Sequence, residues 1–134
     1  MSENIEACNI LYYYGERWAS VHHARIRIGC SKLKADLYFK LHVEDSPACP
    51  CGHPIENDEH YFLSCPNYVQ QRDNLLANKR AIAPITYDLL LHGSKRLSND
   101  DNIKVFSSVQ LYIKETMRFD SKALHIVQKL LVAK

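Results

Sequence analysis

At 134 residues, with 46% hydrophobic residues, 24% charged residues and a net charge of +2, the chain has the size and balance of one globular domain, with room for a modest core and little for an elaborate enzyme. No apolar run approaches the ~20 residues of a membrane span, and the start MSENIEACNI has neither a basic beginning nor a long apolar centre. Neither a transmembrane helix nor a signal peptide is therefore expected, membrane is set aside as a partner, and the five cysteines are expected reduced, in the cytoplasm or nucleus.

Taken in order, residues 1–14 carry little pattern beyond Leu11-Tyr12-Tyr13-Tyr14, a short strand or packing segment. From Trp18 the pattern is helical, with Val21, Ala24 or Arg25, and Ile28 recurring and Gly29 as a stop. His22 and His23 lie on this helix and, as neighbours pointing apart, are expected at the surface or the core edge rather than on a metal. Ser31 reads as the N-cap of a second helix whose face is Leu33, Leu37 and Leu41. Ser46-Pro47 opens a loop, and residues 48–57 read as a hairpin-like knuckle. Beyond Pro66, Tyr68, Leu75 and Ile82 repeat by sevens, which predicts a helix of about four turns ended by Pro84. Thr86 caps a short helix, Tyr87 to Leu91, closed by His92-Gly93. Asn99 or Asp100 starts the longest helix, with Ile103, Phe106, Val109, Ile113 and Met117 as its buried face, running to about Arg118. For residues 120–134 two readings stay open, a further amphipathic helix over 121–132 or a frayed tail.

The chemistry gathers in CPCGHPIENDEHYFLSC, Cys49 to Cys65, which holds three of the five cysteines and two of the seven histidines. Clustered soft ligands point to one Zn2+ ion held by Cys49, Cys51, His60 and Cys65, a Cys3His set that leaves no open position for substrate. Pro50 and Gly52 suit a tight turn that presents two sulfurs to one point. His60 and Cys65 are five apart, about 140° around an ideal helix, so they cannot share a face of an unbroken one. Pro66 forces a break at Cys65 and starts the next helix. His53 is the rival fourth ligand, and buried, metal-free cysteines are the plainer alternative. Glu59 or Asp58 is a candidate to orient the second ring nitrogen of His60. Cys8 and Cys30 stand alone, and Cys30 is expected buried.

Charge is uneven. Arg17, Arg25, Arg27, Lys32, Lys34 and Lys40 face a single acid, Asp36, within their span, while 41–71 has no Lys or Arg and carries Glu44, Asp45, Glu56, Asp58 and Glu59. The basic span suits phosphate contacts, although a solvated helix face explains it as well. Catalytic patterns are missing: no glycine-rich phosphate loop, GxSxG or HExxH occurs. The acids Glu56, Asp58 and Glu59 are explained by solvent exposure or helix N-terminal charge, without a two-metal nuclease.

Several pieces stand in a fixed order: Arg25-Ile-Arg-Ile-Gly-Cys-Ser31 with Leu33 and Ala35-Asp36-Leu37, the knuckle Cys49-Pro-Cys-Gly52 with Glu56, Glu59-His60-Tyr-Phe and Cys65-Pro-Asn-Tyr68 followed by Arg72, then Leu89-Leu-Leu-His-Gly93 and Met117-Arg118-Phe119. Together they resemble the C-terminal region of reverse transcriptases from LINE-type, non-LTR retrotransposons. The resemblance spans roughly residues 12–119. It implies a zinc module downstream of a polymerase that helps hold RNA or target DNA, with Cys49, Cys51, His60 and Cys65 as ligands and Arg25, Arg27 and Arg72 as pattern residues without a role. The Asp-Asp polymerase motif, an RNase H acidic set and an endonuclease domain are missing, so the chain is expected to be a detached tail, an element remnant or a host gene derived from one.

The expectation is a mainly α, single helical domain over 1–134 with a Cys3His zinc knuckle inserted at 48–66, and no enzyme. Its function is that of a zinc-binding module contacting RNA or DNA through Arg17, Arg25, Arg27, Lys32, Lys34 and Lys40. The alternatives are a protein-interaction module, packing on a polymerase domain or another protein, and a remnant without function.

Overall fold

The computed structural model describes residues 14–77 and 82–119. They form helices α1 (Arg17–Arg27), α2 (Lys34–Phe39), α3 (Asp58–Leu63), a 3-10 turn (Pro66–Tyr68), α4 (Val69–Leu76), α5 (Tyr87–His92) and α6 (Asn99–Thr116). No strand occurs among the described residues. The domain is mainly helical, with a Cys3His cluster in the long connection between α2 and α4.

α6 is the spine. Ser98 caps it, its hydroxyl accepting from the Asp101 amide at 3.1 Å, while Asp100 and Asp101 in the first turn and Lys114 in the last suit the helix dipole. Val105, Phe106, Val109, Tyr112 and Ile113 form one buried stripe. α1, α4 and α5 all pack on it, α1 and α5 pack on each other, and α3 sits against α5. Tyr61 and Phe62 of α3 carry the knuckle's attachment into this core. The Tyr61 hydroxyl pairs with Thr116 Oγ1 at 2.6 Å and the Tyr112 hydroxyl donates to the Tyr61 carbonyl, so both buried phenols are satisfied.

Gly93 ends α5 at φ +70, and a Cβ there would stand 2.8 Å from Asn102 Oδ1. The close approach is used: buried Asn102 accepts from the Ser94 amide and donates to the Ser94 carbonyl, both at 2.9 Å. The turn into α6 therefore needs glycine for its backbone and for its space.

Several sequence expectations are corrected. α2 stops at Phe39 and Leu41 is exposed, because the chain turns through a left-handed His42 (φ 55), with the Leu41 amide donating to the Asp36 carbonyl. Ser31 is not the N-cap, a position taken by Leu33; its hydroxyl accepts from the Leu33 amide and donates to Asp36 Oδ2 at 2.6 Å. α4 covers two turns rather than four, since Ala77 is extended (ψ 126). Met117 adopts a left-handed conformation (φ 54) that swings it into solvent, and Phe119 fills the core instead. His22 and His23 are buried rather than peripheral: His22 is stacked on Phe119, and His23 Nε2 donates to the Leu90 carbonyl at 2.8 Å. Of the N-terminal segment only Tyr14 is described, and residues 120–134 lie outside the described residues.

Candidate metal centre

Two short pieces of backbone bring the sulfurs and the imidazole together. In the first, the Gly52 amide donates to the Cys49 carbonyl and the Cys49 amide to the His53 carbonyl, both at 2.9 Å. This closes the turn around Pro50 and Cys51. Gly52 has φ +102 with open space where a Cβ would stand, so glycine is needed for its backbone conformation alone. In the second, Asn57 caps α3 by accepting from the His60 amide at 2.8 Å. The His60 carbonyl then accepts from Ser64 and Cys65, at 3.0 and 2.8 Å, which folds the chain back on itself. Cys65 takes the extended conformation (φ −63, ψ 123) that the following proline requires, and Pro66 opens the 3-10 turn. The break reconciles the five-residue separation with a shared site.

The result is a cluster of Cys49 Sγ, Cys51 Sγ, a His60 ring nitrogen and Cys65 Sγ, all within 4.8 Å of one another. Cys49 and Cys65 sulfurs are 3.7 Å apart, and Cys51 Sγ lies 3.3 Å from His60 Nε2. A tetrahedron with metal–sulfur bonds of about 2.3 Å and metal–nitrogen bonds of about 2.0 Å has edges of about 3.8 Å and 3.5 Å. The two edges match these values, and the four residues lie close enough to hold one metal ion.

Protonation divides the four ligands. Burial lowers the His60 pKa, leaving its imidazole neutral, and the His53 backbone amide lowers that of Cys51. Burial pushes Cys49 up to about 12 and raises Cys65 as well. Metal binding must thus release protons from the two buried thiols. His53 is outside the cluster. Its Nδ1 lies 2.9 Å from the Ile55 carbonyl, and its ring stacks on His60 at 4.1 Å.

Neither Asp58 nor Glu59 reaches the second ring nitrogen of His60: Nδ1 is buried without a hydrogen-bond partner, and Asp58 Oδ1 accepts from the Glu59 amide. Glu56 is not a solvated acid but 1% exposed. Its Oε1 accepts from the Lys34 amide at 2.8 Å and from Arg118 Nη2 at 2.7 Å, and its Oε2 accepts from Arg118 Nε at 2.9 Å. Its carbonyl accepts from the Ala35 amide at 3.0 Å, so the knuckle supplies two acceptors to the first turn of α2. Arg72, without a role from sequence, donates to the carbonyls of Phe62 and Cys65 and fixes the turn that presents Cys65. Cys30 is exposed rather than buried, and Cys8 lies outside the described residues.

The basic residues divide. Arg17, Arg25, Lys32 and Lys40 are exposed, and Arg17 and Arg25 share the outer face of α1, about 12 Å apart along its axis. Lys34 is half-buried and paired with Glu44 at 3.1 Å. Arg27 points inward, donating to the Leu91 carbonyl with its guanidinium over Phe106. Tyr38, Phe39, Leu41 and Val43 are exposed beside Lys40. Among the described residues no helix is long and apolar enough to cross a membrane. The chain matches no family model, no curated protein and no solved structure.

Proposed function

We propose that the chain is a non-catalytic zinc-binding module, derived from the tail of a non-LTR retrotransposon reverse transcriptase, that contacts RNA or DNA. The observation that carries the metal half is the close convergence of Cys49, Cys51, His60 and Cys65, whose ligand atoms all lie within 4.8 Å of one another. Three thiolates and an imidazole suit Zn2+, and four protein ligands make the site structural. The nucleic-acid half rests on the exposed cations Arg17, Arg25, Lys32 and Lys40 around α1 and α2, with Lys34 at their edge. Arg27 supports that surface from behind rather than reaching a phosphate.

Metal analysis of protein purified without added metal tests the first half: one zinc per chain is expected, lost in Cys49→Ser and Cys65→Ser and kept in His53→Ala. Binding of labelled RNA and DNA tests the second. Affinity falling steeply with salt, and falling further in Arg17→Glu/Arg25→Glu, is expected; no binding at low salt to either would refute it.

A second reading, a protein-interaction module, is favoured by the exposed Tyr38, Phe39, Leu41 and Val43. The outer surface of α6 contributes only Leu111 as a large exposed apolar group, with Met117 just past its end.

A further inference from the structure

We infer that Glu56 and Arg118 act as a pair of positioning residues for the metal centre, with Arg118 neutralising a carboxylate that would otherwise oppose the thiolates. The inference rests on the zinc reading above and deepens it. Glu56 Oε2 lies 3.9 Å from Cys49 Sγ, and Glu56 is almost wholly buried. A divalent ion with three thiolates and one imidazole carries one net negative charge, so a bare carboxylate at that distance repels the loaded site. Arg118 removes the conflict with a two-point bond to both carboxylate oxygens, its own side chain largely covered. It also donates to the Lys32 carbonyl at 3.0 Å.

The pair does mechanical work too. Glu56 joins the loop between Cys51 and His60 to the start of α2, and Arg118 ties it to the chain just past α6. The Glu56 amide donates to the Pro47 carbonyl at 2.7 Å, which fixes the approach to Cys49. The cysteine side of the centre is therefore held from outside by a charged pair. On the imidazole side, His60 Nδ1 has no hydrogen-bond partner and the ring is supported by stacking on His53. Outer contacts of this kind tune metal affinity although they never touch the ion.

The test is zinc affinity of the full chain, by competition with a chromophoric chelator. Arg118→Met is expected to weaken zinc binding by about 10–100-fold, because Glu56 is left bare. Adding Glu56→Gln to it is expected to restore most of the loss, since the repelling charge goes with it. Residues in direct contact give non-additive losses in stability as well, so zinc affinity is read beside urea unfolding: rescue of stability without rescue of affinity overturns the inference, as does a double variant that binds zinc more weakly than Arg118→Met or an unchanged affinity in Arg118→Met. Should Arg118→Met not fold, Arg118→Lys in the cobalt-loaded protein decides. A shifted thiolate-to-cobalt absorption band with weaker binding supports the pair, and an unchanged spectrum and affinity overturns it. Lys114→Ala, which loses only a surface pairing with Glu16, is the control expected to leave affinity unchanged. If the natural chain itself binds no zinc, the metal reading falls first; if it binds zinc and Arg118→Met does so equally well, only this inference falls.

Discussion

The knuckle and the α1–α5–α6 body are held together by different physics. The body is a packed apolar core: Phe106, Val109 and Ile113 are fully buried, and helices close around them from three sides. The first half of the knuckle has no such stripe, unlike α3, whose Tyr61 and Phe62 enter the core. Between Cys49 and Asn57 the buried residues are Cys49 and Glu56, one a thiol and the other a carboxylate. Burial alone cannot fold such a loop, because its polar groups cost more to desolvate than its few apolar atoms return. Directional contacts must do it: one charged pair, a turn and, on the proposed zinc reading, four ligands. On that reading one short chain carries a region folded only when metal is bound beside one folded by burial.

Metal removal should break the comparison open most widely, since structural zinc contributes on the order of 10 kcal/mol in small sites. With chelator present, hydrogen exchange is expected to become fast at the amides of Cys49, Gly52, Glu56 and Cys65 while α6 keeps its protection. Equal loss in α6 would mean that the two regions form one cooperative unit. The converse perturbation is Phe106→Ala, which should cost about 3–5 kcal/mol in urea unfolding and leave zinc stoichiometry at one.

A smaller effect separates the regions by pH. Burial, with the Arg27 charge beside it, holds His23 down at about 3 against 6.5 when unfolded. The unfolded chain therefore takes up the proton first. This part of the stability is complete above pH 6.5 and falls as pH drops toward 3, by about 2 kcal/mol between pH 6.5 and 5. His23→Gln, compared with the natural chain in zinc-saturated buffer, should flatten the profile by that amount; parallel profiles would show that His23 is not the group responsible. The smallest effect is local. Ser98→Ala should cost about 1 kcal/mol, read as a lower melting temperature with zinc affinity unchanged.

Much of this was readable from residues alone, for reasons that differ by region. The ligand cluster showed because its spacing is local and Pro66 announces the break that makes the geometry possible. Thr86 and Gly93 sit next to the helix ends they cap, and α6 repeats its apolar residues within one unbroken helix, so α5 and α6 were legible, although Ser98 was not read as the cap. What escaped notice depends on partners far along the chain. Glu56 looked like one of a solvated acidic trio because Arg118 is sixty-two residues away. Arg27 looked like a phosphate contact because nothing nearby signals that the Leu91 carbonyl will claim it. His22 and His23 looked peripheral because burial of a histidine is decided by what packs on it, here Phe119 and Phe106. Met117 and Leu41 fitted a periodicity that left-handed turns at Met117 and His42 cut short.

The aromatic seam at the start of α1 has a practical consequence. Trp18, the chain's one tryptophan, is half-buried and lies 4.5 Å from the His22 ring, which stacks in turn on Phe119 at 5.3 Å. Its fluorescence therefore watches the place where α1 meets the end of the α6 segment. The protein carries a built-in optical probe of its body, and a titration can follow that seam without any added label.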